Sequence, residues 1–271
     1  MKLLLIVFLS ALFLTSGNVS QTEAYRNPTK QRTKQRALSQ HVTTRTVHIV
    51  RDCTGKKGVV YFDVDPDNYF DGRGTGVIIS SGNGKTHIAT AAHVVRSLDK
   101  KKRKNLKCKV YVAFGHKINS NNIGILATVR AVDYKQDLAY IVINVDRKVS
   151  SRIAKNTFVG ERVWSVGYSH LFINPRHWKI SMTSGEIATT YIPTDEGNIH
   201  RITAASYHGN SGGGTWNVEG SLVGILTGYT GLRNPTGGSM VPFEGYYYIK
   251  PIEDWVSMLK KRKMYKEVFG K

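Results

Sequence analysis

Three short segments carry residue types that together make a hydroxyl reactive: Thr90-Ala91-Ala92-His93-Val94-Val95, Gln136-Asp137-Leu138-Ala139-Tyr140-Ile141 and Gly209-Asn210-Ser211-Gly212-Gly213. A serine hydroxyl is a weak nucleophile until a neutral imidazole takes its proton. The imidazole in turn needs a carboxylate to fix its tautomer and stabilise its charge. His93, Asp137 and Ser211 supply these three groups, each at a strand end or turn and well separated along the chain. Gly209 adds a second function: without a Cβ it can take backbone angles closed to other residues, so that its N–H and that of Ser211 converge on one developing oxyanion. The chemistry these residues suit is acyl transfer through a serine.

Groups so far apart in sequence meet only on a scaffold, and the chain from Thr46 onward predicts one. Short β-rich runs recur: VHIV (47–50), VVYFDV (59–64), GVIIS (76–80), HIATA (87–91), KVYVAF (109–114), ILATVRAV (125–132), LAYIVINV (138–145), RVWSVGY (162–168), HRITAA (200–205), LVGILTGY (222–229) and YYYIK (246–250). Gly/Asn/Asp/Ser/Lys turns such as Ser81-Gly82-Asn83-Gly84 separate them, the pattern of an all-β sandwich or barrel. With no long crossover helices between them the strands should pair antiparallel, and 271 residues leave room for two barrels. Only the end reads as a helix, residues 251–271, with Pro251 near its start and Trp255, Met258, Leu259 and Tyr265 along one stripe.

Composition narrows the class. The chain has 39 Lys+Arg against 19 Asp+Glu, a formal net charge of +20, and 41% of its residues are hydrophobic, enough for a real core. Its two cysteines cannot staple a chain of this length into a disulfide mini-fold. Met1-Lys2 and the apolar run Leu3–Leu14, followed by Thr15-Ser16-Gly17, predict a secretory signal peptide over residues 1–17, with cleavage after Gly17 or as late as Ala24. An uncleaved N-terminal anchor is the competing reading. The mature protein is then expected to be secreted or periplasmic, where Cys53 and Cys108 either pair or stay as two buried thiols. Residues 25–45 are polar, basic and free of sustained apolar periodicity, and are expected to form a flexible arm.

TAAHVV, QDLAYI and GNSGG, in that order, resemble the chymotrypsin-fold serine peptidases, in particular the trypsin-like peptidase domain of the HtrA and glutamyl-endopeptidase branches. Gly74–Ser80, Val159–Val163 leading into Ser165–Tyr168, Thr183–Ile187 and Gly220–Ile225 extend the resemblance over roughly residues 46 to 255. It implies an all-β fold of two antiparallel Greek-key β-barrels with a C-terminal helix: a first barrel over 46–155 carrying His93 and Asp137, and a second over 156–250 carrying Ser211. It further implies a secreted serine endopeptidase in which His93 is the general base and later acid, Asp137 its orienting carboxylate and Ser211 the acyl-forming nucleophile, with the Gly209 and Ser211 amides as oxyanion donors. Thr227 is expected to place its hydroxyl near Asp137. The substrate, a protein or peptide, would enter the cleft between the barrels as an added strand. No cofactor or metal is expected.

The departures from the family pattern matter as much. Asn210 stands where digestive and clotting relatives carry an aspartate that pairs with a freshly cut N-terminus, so that activation switch is not expected. Gly214 replaces a common proline, and a member of the branch without a PDZ domain is expected. The resemblance puts Ala205 at the base of the specificity pocket and Leu226, Thr227 and Tyr229 along its wall. An uncharged, small to medium apolar side chain is therefore expected at the cleavage position.

Blander assignments cover the other candidates. His208 beside the oxyanion glycine is either an ordinary loop histidine or a substrate contact, Asp133 lacks the Leu-Ala-x-Ile context of Asp137, and Gly84-Lys85-Thr86 has Ile79 where a phosphate loop needs glycine. The basic tracts at 26–45, 100–104 and 260–263 are either solvated surface or a face for polyanions or membrane surfaces. They lack the interleaved aromatics of a single-strand binder, so no specific nucleic-acid recognition is expected. From another functional class, the alternative is a catalytically silent protease-fold protein that binds polyanions through that surface.

Overall fold

In the computed structural model, which describes residues 28–52, 73–95, 98–99, 104–105, 108–115, 124–169, 179–195, 197–232 and 241–270, the apolar runs become strands. The expected signal peptide, the 59–64 strand and Cys53 lie outside the described residues, as does most of the basic tract at 100–104. The chain divides into a unit ending at Gln40 and a larger one from His41 to Lys271.

A helix comes first, α1 (Pro28–Thr43), where the sequence led us to expect a flexible arm. Lys, Gln, Arg, Ala and Leu are all good helix formers, and Pro28 occupies the first position, where its missing N–H is harmless. The segment lacks an apolar stripe rather than helix propensity, and it was the stripe that the arm reading relied on. The last turn is anchored: Val42 is fully buried, its carbonyl accepts from Thr46 Oγ1 at 2.9 Å, and His41 Nε2 lies 3.1 Å from the Gly220 carbonyl.

The strands β1 (Thr46–Asp52), β2 (Arg73–Gly82) and β3 (Lys85–Ala91) precede a single helical turn, α2 (Ala92–Val95). A small hairpin of β4 (Leu98–Asp99) and β5 (Lys104–Asn105) follows, then β6 (Lys109–Ala113), β7 (Ile125–Asp133) and β8 (Leu138–Ile143). Six of them close a barrel in the order β1-β2-β3-β8-β7-β6, every pairing antiparallel. Alternate side chains fill it, among them Val47, Ile49, Ile78, Ile88, Val110, Val112, Ile141 and Ile143. The β2–β3 turn is the two-residue hairpin that the sequence signalled, with Asn83 at φ 54° and Gly84 at φ 75°, the positive pair whose twist suits a tight hairpin.

The second half contains β9 (Arg152–Ile153), β10 (Arg162–Ser169), β11 (Lys179–Thr194), β12 (Gly197–Ile202), β13 (Gly214–Asn217), β14 (Ser221–Leu232) and β15 (Val241–Pro251). They form one sheet in the order β13-β10-β11-β12-β15-β14-β9, and an extra β13–β14 pairing closes all but β9 into a second ring. Its core includes Val163, Ile187, Ile202, Ala204, Val223, Leu226, Tyr247 and Ile249. The short strand β9 pairs parallel to β14, so the second sheet begins at Arg152, just inside the span expected for the first barrel.

The C-terminal helix is two helices, α3 (Ile252–Lys261) and α4 (Tyr265–Phe269), broken at Lys263, whose φ is 58°. Ile252, Trp255, Met258 and Leu259 are buried on α3, and Val268 rather than Tyr265 is the buried residue of α4. These helices follow the second sheet yet strap the first barrel. Trp255 Nε1 donates to the Ala139 carbonyl at 2.9 Å, Arg262 to the Val132 carbonyl at 2.8 Å, and Arg130 pairs with Glu267 at 3.1 Å. This cover explains why β8 is buried on both faces.

Candidate active site

His93 is the second residue of the turn that ends β3. Ala92, Val94 and Val95 of that turn point into the core, which leaves His93 as its exposed member, with 48% of its side chain accessible. Strand register brings the carboxylate to it: Ala91 pairs with Leu138, so Asp137 falls beside Ala92 and His93. Asp137 sits at φ 52°, a left-handed conformation that aspartate tolerates better than most residues. Three hydrogen bonds hold it. Its carbonyl accepts from Ala92 N–H at 3.1 Å, Oδ1 accepts from His93 N–H at 2.9 Å, and Oδ2 accepts from His93 Nδ1 at 2.7 Å. An ionised carboxylate can only accept, so the Nδ1 proton is committed to Asp137 and the lone pair of the neutral ring lies on Nε2. Asp133, the rejected neighbour, caps the turn instead by accepting from Gln136 N–H at 3.0 Å.

Ser211 lies in the loop between β12 and β13, flanked by Gly209 at φ 93° and Gly212 at φ 83°. Tight backbone bonds within the loop and to β14 shape it. Asn210 N–H donates to the Tyr207 carbonyl at 3.0 Å, Gly213 N–H to the Asn210 carbonyl at 2.8 Å, and Gly212 N–H to the Leu226 carbonyl at 2.7 Å. Among the described residues the Gly209 and Ser211 amides meet no backbone carbonyl, which leaves both free for a ligand oxygen. The loop is pressed onto the first barrel: Thr75 N–H of β2 donates to the Ser211 carbonyl at 2.8 Å, and a Cβ on Gly212 would fall 2.2 Å from both Thr75 O and Thr90 Oγ1. Thr90 is three residues before His93. No hydrogen bond joins Ser211 Oγ to His93 among the described residues; such bonds commonly tighten only around substrate.

Residues 74–225 match the trypsin-like peptidase domain family, a span that includes His93, Asp137 and Ser211. The chain belongs to that family. A solved structure described as the serine endoprotease from Yersinia pestis superposes with a TM-score of 0.57 at 20% identity, covering 83% of this chain and 65% of that one. No curated protein matches the chain significantly. The double-barrel architecture expected of a chymotrypsin-like fold is thus the one observed.

In this trypsin-like peptidase domain the residues placed at the pocket behave unequally. Ala205 and Tyr229 are half-buried and pack against the second core, whereas Leu226 is part of that core at 3% exposure. Thr183 Oγ1 donates to the Ala205 carbonyl, which ties Ala205 to β11. Tyr229 OH lies 3.2 Å from His208 Nε2, with the two rings edge to face, and burial pushes the Tyr229 phenol above its ordinary value. Among the described residues Asp137 takes its hydrogen bonds from Ala92 and His93, and none from Thr227. Asn210 is fully buried, with its side-chain amide 3.4 Å from Ser181 Oγ.

Two contributors escaped the sequence reading. Arg51 donates from its guanidinium to the His93 carbonyl, pinning the α2 turn from β1. Thr75 belongs to the GTGVIIS run, which the sequence marks only as a strand; the signal for it is a hydroxyl residue between two glycines, Gly74 and Gly76, neither of which has room for a Cβ.

Proposed function

We propose that the protein is an exported serine endopeptidase that cleaves peptide bonds through His93, Asp137 and Ser211. The observation that carries this reading is the Asp137–His93 pair, which directs the basic Nε2 away from the carboxylate, beside a glycine-flanked serine loop with two unengaged amides. In the reaction Ser211 Oγ attacks the scissile carbonyl while His93 Nε2 takes the hydroxyl proton. The carbonyl oxygen gains the negative charge and is met by the Gly209 and Ser211 N–H groups. When the tetrahedral species collapses, the C–N bond breaks, His93 returns its proton to the leaving amine, and an acyl-Ser211 ester remains. Water, deprotonated by the same imidazole, hydrolyses that ester and restores the enzyme.

The half-buried Ala205 and Tyr229 carry no charge, which supports a preference for an uncharged, small to medium apolar residue at the cleavage position. Labelling with a serine-directed fluorophosphonate, compared between wild type and Ser211→Ala, tests the reading. Labelling of the wild type alone is expected; a folded wild type that does not label refutes it. A peptide-library digest cut mainly after Arg, Lys or Glu would refute the proposed preference.

A further inference from the structure

Thr75 is fully buried, yet all of its polar atoms are engaged with groups outside its own strand. Its N–H donates to the Ser211 carbonyl at 2.8 Å, and its carbonyl accepts from Thr90 Oγ1 at 2.7 Å. Its hydroxyl works in both directions: Oγ1 accepts from Tyr168 N–H of β10 at 2.8 Å and donates to the Gly209 carbonyl at 2.7 Å. The residue has no freedom to drift, because a Cβ on Gly74 would lie 2.6 Å from Val94 and one on Gly76 2.8 Å from Ile49. The strand is therefore wedged on both sides of it.

These contacts bracket the oxyanion loop. Gly209 and Ser211, whose amides are the donors, both have their carbonyls held by one residue of the other barrel. With those carbonyls fixed, the peptide that carries the Ser211 N–H lies between two clamped planes. Gly209, the residue most able to turn, is held at φ 93°. The hydroxyl is a link in a chain of hydrogen bonds, and accepting from Tyr168 strengthens its donation to Gly209. Removing it would leave a buried amide and a part-buried carbonyl unpaired, and the cheapest relief is for the loop to rotate.

We propose that Thr75 is a positioning residue whose hydroxyl, acting across the two barrels, sets the Gly209–Ser211 oxyanion amides. This rests on the serine peptidase reading above.

The test compares Thr75→Val, Thr75→Ser and Thr75→Ala in the full chain for kcat and KM on a peptide substrate, fluorophosphonate labelling rate and thermal midpoint. Thr75→Val should lower kcat and the labelling rate roughly tenfold to a hundredfold, the scale of a small misplacement at a reacting centre, with KM close to wild type. Thr75→Ser should retain most of the rate, whereas Thr75→Ala, of nearly the same size, should fall with Val. A role in packing alone predicts the opposite order, with Val nearest wild type. If Thr75→Val does not fold, the Ser and Ala variants, which differ by the hydroxyl alone, decide the matter: equal rates overturn the proposal. A wild type that neither labels nor cleaves overturns the peptidase reading and the role of Thr75 with it, whereas an active wild type with matching Ser and Ala variants overturns only the latter.

Discussion

Asp137 holds His93 with both carboxylate oxygens, Oδ1 on the main-chain N–H at 2.9 Å and Oδ2 on Nδ1 at 2.7 Å. The first bond fixes where the residue sits and the second fixes the ring tautomer. Asp137→Asn separates the two. The amide oxygen can still accept from the backbone, but the NH2 group would donate to Nδ1 and force the ring proton onto Nε2, where the base is needed. The expected outcome is a folded protein with kcat lower by about 10⁴, the scale of holding the catalytic imidazole in the wrong tautomer. Steady-state kinetics on a peptide substrate check it, and a kcat within about tenfold of wild type would refute this role for Asp137.

Gly212 cannot accept a side chain. At φ 83° an L-residue is strained, and its Cβ would lie 2.2 Å from the Thr75 carbonyl and Thr90 Oγ1 and 3.0 Å from Ala91 N. All three belong to β2 and β3, so the loop must back away from the first barrel. Gly212→Ala is expected to destabilise the fold by more than about 3 kcal/mol and to abolish labelling of Ser211 even below its melting temperature. Denaturant unfolding and fluorophosphonate labelling measure the two effects.

The sequence revealed those parts of the molecule that repeat a local signal. β1, β3, β6, β8 and β10 are short alternating or apolar runs and lie where the pattern predicts them, because a two-residue period survives wherever one face meets a core. His93, Asp137 and Ser211 were legible because each sits in a distinctive short motif. What could not be read depends on contacts distant in sequence. β13 (Gly214–Asn217) is four residues with no recognisable period, ordered only by β10 and β14 on either side. α1 lacks a stripe, so its helix rests on propensity and on the anchoring of its last turn through Val42 and His41. Thr75 gains its partners only when the two barrels meet, and no spacing rule encodes a hydrogen bond between residues 75 and 209.

His48 should make the fold acid-sensitive. It is 1% exposed and stacks on Tyr168 with ring centroids 5.0 Å apart, and burial, with the Arg73 charge adding to it, pushes its imidazole down from 6.5 to about 3. Between those values the unfolded chain binds a proton that the folded chain refuses. Stability is therefore complete above about pH 6.5 and is lost as pH falls toward 3, at up to roughly 1.4 kcal/mol per pH unit for one such group. Burial lowers His87 and His200 in the same direction. Urea unfolding from pH 7 to pH 4 should show this slope, and His48→Phe, which keeps a ring against Tyr168, should reduce it by about one proton. An unchanged slope would show that His48 is not the group responsible.

Trp255 is the bolt between the C-terminal helices and the strand that follows Asp137. It is fully buried, meets Tyr140 edge to face at 5.9 Å and donates from Nε1 to the Ala139 carbonyl, two residues beyond Asp137. Trp255→Ala should therefore cost about 3–5 kcal/mol, the range for emptying a large aromatic site. Trp255→Phe fills most of the volume but cannot donate, and should cost less. Because β8 starts at the residue after Asp137 and its register sets Asp137 beside His93, the Ala variant should also lose labelling of Ser211 at temperatures where its β-sheet circular dichroism is still intact. Labelling and ellipticity that fall together would mean that the helix supports only global stability. Labelling that falls first shows that the strap holds the base and its carboxylate in place.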